Sequence, residues 1–250
     1  MPKPEENLRL NVFISRATGI SRRMADTAVL EGKIRINGMP VREPGIRVSE
    51  NDLVEFNRKK IWIKEGETWL VLRKPVGFIT TRKDPQKRPT VMELLPRNYR
   101  NLFPVGRLDY DTSGVLLFTD DGDTAHKLMH PGFQTPRIYE AQVEGSLNKD
   151  EVALIQRGVL ISGKRANVAG LKFVKTKSAS EVWRIELSEG RYHEVRLIFS
   201  AIGHNVVALE RISFAGIEAW DIEYGRSREL NKKEIAGLKK RLEIYALQEK

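Results

Sequence analysis

Apolar residues recur with helical spacing in two short stretches near the start of the chain. Residues 8–19 place apolar side chains three and four positions apart, which predicts a helix that ends at Gly19. Ser21 is suited to cap a second helix, whose inward side chains are expected to be Met24, Ala25, Ala28 and Val29. Residues 33–41 then alternate, with Asn37-Gly38 placed as a tight hairpin turn. A small unit of two helices and a small sheet is expected.

Later in the chain, apolar runs predict strands more often than helices. Strands are predicted within 70–81, where Pro75 and Gly77 make a turn, and at 115–118, 138–143 and 182–187. Helices are predicted at 123–129 with Asp123 as its cap, 148–157 with a capping box, 195–203, and 235–245. Because several strands are joined by short turns, we expect an α+β fold. A small domain, residues 1–64 with a basic linker, precedes a domain with a mixed, largely antiparallel sheet, residues 65–250.

The stretch 105–123 is the first candidate for a functional site. A charged turn between Gly106 and Gly114 precedes the apolar run 115–118, which is typical of a strand buried on both faces. The turn places Arg107 and Asp109 on a loop beside rigid structure, where catalytic groups are commonly found. Taken alone, Asp109 can also be a turn carboxylate paired with Arg107.

The charge of the chain indicates a class of partner. The 250 residues include 43 Lys or Arg and 33 Asp or Glu, a net charge of +10. Residues 1–64 hold 13 of these basic residues and 8 of the acidic ones, so a quarter of the chain carries half of the net charge. This excess favours a polyanionic partner, although a basic surface also serves solubility. With no cysteine, disulfides, thiolate catalysis and cysteine-ligated zinc are excluded. We see no signal peptide or membrane span, so we expect a cytoplasmic protein with no membrane partner.

Several common catalytic and metal-binding motifs are missing from the sequence. We find no nucleophile-base triad, no glycine loop followed by Lys-Ser or Lys-Thr, and no dinucleotide fingerprint. The four histidines lack the spacing of a zinc site: His126, His130, His193 and His204. Asp120, Asp121 and Asp123 fit a turn and a helix cap better than a calcium loop. We therefore predict no metal site.

The N-terminal part closely resembles a known RNA-binding module. The motifs are Ser21-Arg22-Arg23 and Glu31-Gly32-Lys33-Ile34-Arg35-Ile36-Asn37-Gly38, and the match covers most of residues 8–56. The module is the small αL domain shared by a small-subunit ribosomal protein and several RNA-modifying enzymes. The resemblance implies docking on structured RNA. The candidate contacts lie at the helix starts and the first strand, where guanidinium groups and helix amides can together hold phosphates: Arg9, Arg22, Arg23, Lys33 and Arg35.

Four further motifs resemble a second family over nearly the whole chain. They are Lys74-Pro75-Val76-Gly77, Gly106-Arg107-Leu108-Asp109 with Thr112-Ser113-Gly114-Val115-Leu116-Leu117, Arg137-Ile138-Tyr139, and Glu189-Gly190-Arg191-Tyr192-His193-Glu194-Val195-Arg196. In this order they resemble bacterial ribosomal RNA pseudouridine synthases with an N-terminal αL module. The resemblance implies isomerisation of a uridine: the bond from ribose to nitrogen 1 of uracil breaks, the base turns, and carbon 5 takes its place. Such a reaction requires no cofactor, metal or second substrate.

The resemblance also implies roles for three residues. Asp109 is the catalytic carboxylate, Tyr139 lies against the target base, and Arg196 pairs with Asp109 and keeps it ionised. Asp109 can act as a nucleophile or as a base at the sugar, and both roles remain open. Further RNA contacts are expected from a basic loop at 81–89 and from the motifs themselves: Arg82, Arg88, Arg107 and Arg191.

The motifs favour 23S rRNA over 16S rRNA as the substrate. The segments 82–85, 88–91 and 106–114 resemble the large-subunit enzymes, whereas 190–195 and 203–207 resemble the small-subunit enzyme. We expect a monomer that acts on ribosomal RNA or a ribosomal assembly intermediate. The alternatives are a 16S rRNA or tRNA pseudouridine synthase, and a non-catalytic RNA-binding factor for ribosome assembly.

Overall fold

The structure, a computed structural model, describes residues 7–49, 51–63 and 66–248, with side chains of the last helix described to residue 244. The chain divides into two compact units, residues 1–68 and 69–250. Among the described residues, no helix is long and apolar enough to cross a membrane.

The first unit packs two short helices against small sheets. Its elements are β1 (Leu8–Arg9), α1 (Leu10–Thr18), α2 (Arg22–Leu30), β2 (Ile34–Ile36), β3 (Met39–Val41), β4 (Arg47–Val48), β5 (Val54–Phe56) and β6 (Lys59–Ile61). Four strands form an antiparallel sheet in the order β3-β2-β5-β6, and β1 pairs with β4.

Most of the helix ends, caps and turns predicted for the first unit are confirmed. Gly19 ends α1 in the left-handed conformation, and the Ser21 hydroxyl accepts a hydrogen bond from the amide of Met24. The β2–β3 hairpin turns at Asn37 and Gly38, both with positive φ. The prediction that Met24 faces inward is wrong. Its side chain is 59% exposed, because the buried face of α2 is formed by Ala25, Ala28 and Val29.

The second unit is built on one large sheet. Its strands are β7 (Trp69–Lys74), β8 (Phe103–Val105), β9 (Thr112–Thr119), β10 (Arg137–Glu144), β11 (Leu160–Ile161), β12 (Lys164–Arg165), β13 (Val168–Lys177), β14 (Ser180–Leu187), β15 (Val206–Phe214), β16 (Ile217–Glu218) and β17 (Ser227–Glu229). Its helices are α3 (Gly122–Met129), α4 (Lys149–Arg157), α5 (Glu194–Ser200) and α6 (Lys232–Gln248). Single turns of 3₁₀ helix lie at Val91–Glu93, Arg97–Tyr99 and Pro131–Phe133.

The main sheet has the strand order β13-β14-β10-β15-β9-β7-β17, with β16 beside β15 and β8 beside β9. Within the described chain, β9 and β15 form the one parallel pair of named strands. Helices and sheet segregate as an α+β fold, with a mixed, mostly antiparallel sheet, as expected.

The sheet is buried on both faces at its centre. Alternate residues of β7 and β9 enter two different core clusters: Leu70, Leu72, Leu116 and Phe118 in one, and Trp69, Val71, Val115 and Leu117 in the other. Such two-sided burial explains the continuous apolar run in β9.

Several predicted boundaries shift in the second unit. Helix α3 is capped by Asp121 and not by Asp123, because the Asp121 carboxylate accepts bonds from the amides of Asp123 and Thr124. The predicted capping box of α4 is present between Asn148 and Glu151. The predicted strand at 78–81 is reduced to a single bridge between Ile79 and Thr90.

Gly114 allows the close approach of the parallel pair. Its φ is +107°, and a Cβ placed there would lie 2.2 Å from the carbonyl oxygen of Arg211 in β15. No larger residue fits between these backbones. The glycine thereby fixes β9 against β15 just after the turn that carries Asp109.

Candidate active site

The turn that carries Asp109 is held by hydrogen bonds to each of its carbonyl groups. Five consecutive carbonyl oxygens, at residues 108–112, accept a bond from another part of the second unit. The donors are Thr80 Oγ1 to Leu108 (2.7 Å), Lys74 Nζ to Asp109 (2.9 Å), the Gly77 amide to Tyr110 (2.8 Å), Arg196 Nη2 to Asp111 (3.3 Å) and Lys74 Nζ to Thr112 (2.7 Å). This backbone is fixed, so the Asp109 side chain projects from a rigid support.

Lys74 lies at the centre of this arrangement and has no exposed surface. Burial lowers the pKa of its ammonium group to about 8, although the carboxylates of Asp109 and Asp111 oppose the shift. The sequence motif that contains Lys74 was read as a strand and a turn, and its role as a clamp was missed. The position of Lys74 at the end of a buried strand could have indicated that its side chain is buried and bonds nearby backbone.

A cleft of about 570 Å³ opens beside this turn. Asp109 and Tyr139 both line it, together with apolar side chains from Leu187, Val195, Leu209 and Phe214. Tyr139 is 9% exposed and is placed by β10, whose alternate residues point into the core. A partly apolar cleft with a carboxylate in its wall is suited to a planar base whose sugar faces the carboxylate.

The basic side chain beside Asp109 is not the one that was predicted. His193 Nε2 lies 3.6 Å from Asp109 Oδ1, whereas Arg196 forms its ion pair with Asp111 at 2.7 Å. Arg196 also donates to the carbonyl of Val206 at 2.7 Å. The predicted Arg196–Asp109 pair is therefore wrong. Arg196 reaches the turn from α5 at Asp111, where it contacts both the carboxylate and the carbonyl oxygen of that residue.

His193 owes its position to the start of α5. It precedes the helix in the left-handed conformation, with φ of 53°, and its ring stacks on that of Tyr192 at 3.9 Å and 15°. From the sequence, His193 was considered as a zinc ligand and was set aside. Its proximity to Asp109 arises from a loop conformation that local sequence signals do not specify.

Two buried arginines that line the cleft were also missed. Arg137 and Arg211 both lie over the ring of Phe214, at 5.3 and 4.7 Å from its centroid. Arg137 donates to the carbonyls of Thr135, Leu128 and Ser188, and Arg211 Nε donates to that of Val115 at 2.8 Å. These bonds tie β10 and β15 to neighbouring segments. In the sequence, each arginine occupies a position where the alternation of its strand predicts a buried apolar residue, and this could have indicated its burial.

The predicted RNA contacts of the second unit have different surroundings. Arg107 is exposed and lines the cleft. Arg191 also lines it, but its guanidinium group bonds Glu189 and the carbonyls of Lys164 and Arg165. Its observed contacts hold the loop, and contact with RNA stays a prediction.

The basic loop at 81–89 contains an internal ion pair. Arg88 Nη2 lies 2.8 Å from Asp84 Oδ1, and this hydrogen-bonded guanidinium lowers the pKa of Asp84 to about 2. Arg82 is exposed on the same loop. Neither residue lines the cleft.

In the first unit, all five predicted RNA contacts are exposed: Arg9, Arg22, Arg23, Lys33 and Arg35. Lys33 forms an ion pair with Glu31. Among the described residues, no three His, Asp or Glu side chains are grouped so that they could hold a metal ion.

Comparison with known proteins agrees with this division of the chain. Residues 68–201 match the RNA pseudouridylate synthase family, and residues 8–54 match the S4 domain. The chain is 36% identical to ribosomal large subunit pseudouridine synthase B of Bacillus subtilis, with 92% of this chain and 95% of the relative covered. It is 34% identical to an uncharacterized RNA pseudouridine synthase of Aquifex aeolicus, over 92% and 93% of the two chains.

A solved structure shows the same architecture. A crystal structure of a pseudouridylate synthase superposes with a TM-score of 0.64 at 29% identity and covers 92% of this chain and 99% of that one. The family match spans more than half of the chain, and two relatives above 30% identity cover nearly all of it. The chain therefore belongs to the RNA pseudouridylate synthase family, isomerases that convert uridine to pseudouridine in RNA, and carries an N-terminal S4 domain.

Proposed function

We propose that the protein isomerises one uridine of 23S rRNA, with Asp109 as the catalytic carboxylate. The observation that carries the proposal is the clamped turn at 108–112, which presents Asp109 to the cleft. The names of two relatives support the choice of RNA. Both the Bacillus subtilis protein and one from Yersinia pestis, 32% identical, are ribosomal large subunit pseudouridine synthases B.

In the proposed reaction, Asp109 and Tyr139 have different roles. The bond between ribose C1′ and uracil N1 breaks, the base turns, and C1′ bonds to C5, which gives up its proton while N1 gains one. Asp109 contacts the ribose, either as nucleophile or as base. Tyr139 offers its ring to the uracil while it turns. The uridine enters flipped out of its stack, because its reacting atoms are not accessible within paired RNA.

Arg196 has an indirect role in this proposal. It bonds both the carboxylate and the carbonyl of Asp111, two residues from Asp109. It thereby positions the turn, and His193 is the group that faces the catalytic carboxylate.

The S4 domain docks on structured RNA through its exposed basic residues, and the second unit carries the chemistry. The domain's contacts are Arg9, Arg22, Arg23, Lys33 and Arg35. Arg107 holds phosphate at the cleft, and the loop with Arg82 and Arg88 holds the opened strand. The protein acts as a monomer in the cytoplasm, on 23S rRNA or an assembly intermediate that contains it.

The substrate is tested by incubating the protein with unmodified 23S rRNA, 16S rRNA and bulk tRNA in separate reactions, then mapping pseudouridine by its chemical adducts. One new pseudouridine in 23S rRNA is expected. Modification confined to 16S rRNA or tRNA would assign a different substrate to the same enzyme. If naked RNA is not modified, the same assay on immature large subunits separates an assembly-intermediate substrate from a protein that only binds.

A further inference from the structure

Tyr192 exposes a large aromatic ring at the cleft. Its side chain is 74% exposed although it lines the same cavity as Asp109. Single exposed aromatic residues are common on protein surfaces, so exposure alone indicates little. The surroundings of Tyr192 distinguish it from the similarly exposed Trp220, which lies outside the cleft.

The loop that carries Tyr192 is held at both ends. Arg137 donates to the carbonyl of Ser188, where the loop leaves β14. The Arg191 amide bonds the Glu194 carboxylate at 2.8 Å, and the Arg191 side chain bonds Glu189 and two carbonyls of the neighbouring hairpin. The aromatic ring is therefore presented on a fixed backbone and does not depend on a mobile loop.

One face of the Tyr192 ring is already occupied. The imidazole of His193 stacks on it, with the ring centroids 3.9 Å apart and the planes 15° from parallel. This contact fixes the orientation of the phenol ring and leaves its outer face open to solvent. Arg107 lines the same cleft, and a fixed aromatic face together with a basic residue is how proteins hold unpaired bases.

We propose that the outer face of Tyr192 binds an unpaired RNA base next to the target uridine. The base cannot be the target itself, because the Tyr192 ring separates it from His193, the side chain that faces Asp109. The target ribose must meet Asp109, so the stacked base belongs to a flanking nucleotide. Its stacking holds the strand open while the uridine occupies the cleft. The inference rests on the proposed entry of RNA into this cleft.

The test uses the RNA that the wild-type protein modifies and compares Tyr192→Leu with Tyr192→Phe. Stacking on an aromatic residue is worth roughly tenfold or more in affinity. Tyr192→Leu is expected to raise KM about tenfold with kcat within about twofold of wild type, whereas Tyr192→Phe keeps the wild-type KM. Trp220→Leu, which removes an exposed ring outside the cleft, serves as the matched control and is expected to leave both constants unchanged.

A second measurement keeps the Tyr192 ring and removes the RNA base that is proposed to stack on it. RNAs with an abasic nucleotide at each position flanking the target are compared with the intact RNA. One abasic RNA is expected to raise the wild-type KM about tenfold and to have little added effect on Tyr192→Leu. Equal sensitivity of both proteins at every position would overturn the proposal. A fall in kcat without a change in KM would also overturn it, because Tyr192 would then act only by holding His193. Failure of Asp109→Asn to abolish the reaction would instead contradict the proposed active site.

Discussion

The ammonium group of Lys74 donates a hydrogen bond of 2.9 Å to the carbonyl oxygen of Asp109, whose carboxylate lines the cleft. The same group donates to Thr112 at 2.7 Å and to Pro75 at 3.2 Å. One buried lysine thus joins the end of β7 to both ends of the turn that precedes β9. The proposed catalytic carboxylate is positioned through its own backbone.

Lys74→Met is predicted to lower kcat by tenfold to roughly a hundredfold with little change in RNA affinity, because small displacements of a catalytic group cost rates of this order. Single-turnover rates and equilibrium binding separate the two quantities. Lys172→Met, which removes an exposed ammonium group from β13, is the control and should retain the wild-type rate. Equal rates for Lys74→Met and Lys172→Met would show that the turn does not depend on the clamp.

The buried ammonium group also predicts a pH dependence of stability. The pKa of Lys74 is about 8 in the folded chain, against 10.5 ordinarily, so the unfolded chain binds more protons between these values. The cost of burying the charge is fully present below pH 8 and is relieved as the pH rises to 10.5. The free energy of unfolding of wild type, relative to Lys74→Met, should therefore increase by about 3 kcal/mol across this interval.

Urea denaturation of both proteins at pH 7.5 and pH 10 measures most of this change. The comparison of two variants cancels the titration of the other lysines and tyrosines. A difference in unfolding free energy that is the same at both pH values would contradict the burial of a charged Lys74.

The ion pair between Arg196 and Asp111 predicts non-additive effects. Arg196→Gln and Asp111→Asn should each lower kcat about tenfold, and the double variant should lose little more than either one. Stability should change by less than about 1 kcal/mol, because Asp111 is largely exposed. If Arg196 instead acted directly on Asp109, Arg196→Gln would lower kcat by the same factor in the Asp111→Asn background.

Gly114→Ala is predicted to be among the most damaging substitutions in the sheet. The added Cβ would lie 2.2 Å from a backbone oxygen of β15, so the parallel pair must separate. A loss above about 4 kcal/mol is expected. Gly163→Ala, at a similar positive φ with no atom within 4 Å, isolates the backbone strain and should cost roughly 1–2 kcal/mol. Equal melting temperatures for the two variants would contradict the close contact.

The features that the sequence predicted well are specified by neighbouring residues. The Ser21 cap, the Asn37-Gly38 hairpin and the capping box at Asn148 each depend on residues no more than four apart. The continuous apolar run in β9 also correctly predicted that this strand is buried on both faces. The order of the motifs indicated the family, and the resemblance to that family indicated Asp109 and Tyr139 as site residues. The structure places both in one cleft.

The features that were missed depend on contacts between distant segments. Strand β15 pairs with β9 almost a hundred residues away, and no local pattern specifies that partner. Whether Arg196 pairs with Asp109 or with Asp111 likewise depends on the path of the turn, and the structure pairs it with Asp111. Lys74 and Arg211 are charged residues in apolar strands, whose burial is possible only because carbonyl groups of other segments accept their hydrogen bonds.

The central claim, that Asp109 performs the reaction, is tested most directly by Asp109→Asn. The change keeps the side chain's size and leaves the five carbonyl bonds of the turn in place. Single-turnover pseudouridine formation, mapped by chemical adducts on the RNA that wild type modifies, should fall below detection while the Kd for that RNA stays within about threefold of wild type. Pseudouridine formation by Asp109→Asn at a rate near that of wild type would contradict the claim and assign the chemistry to another group.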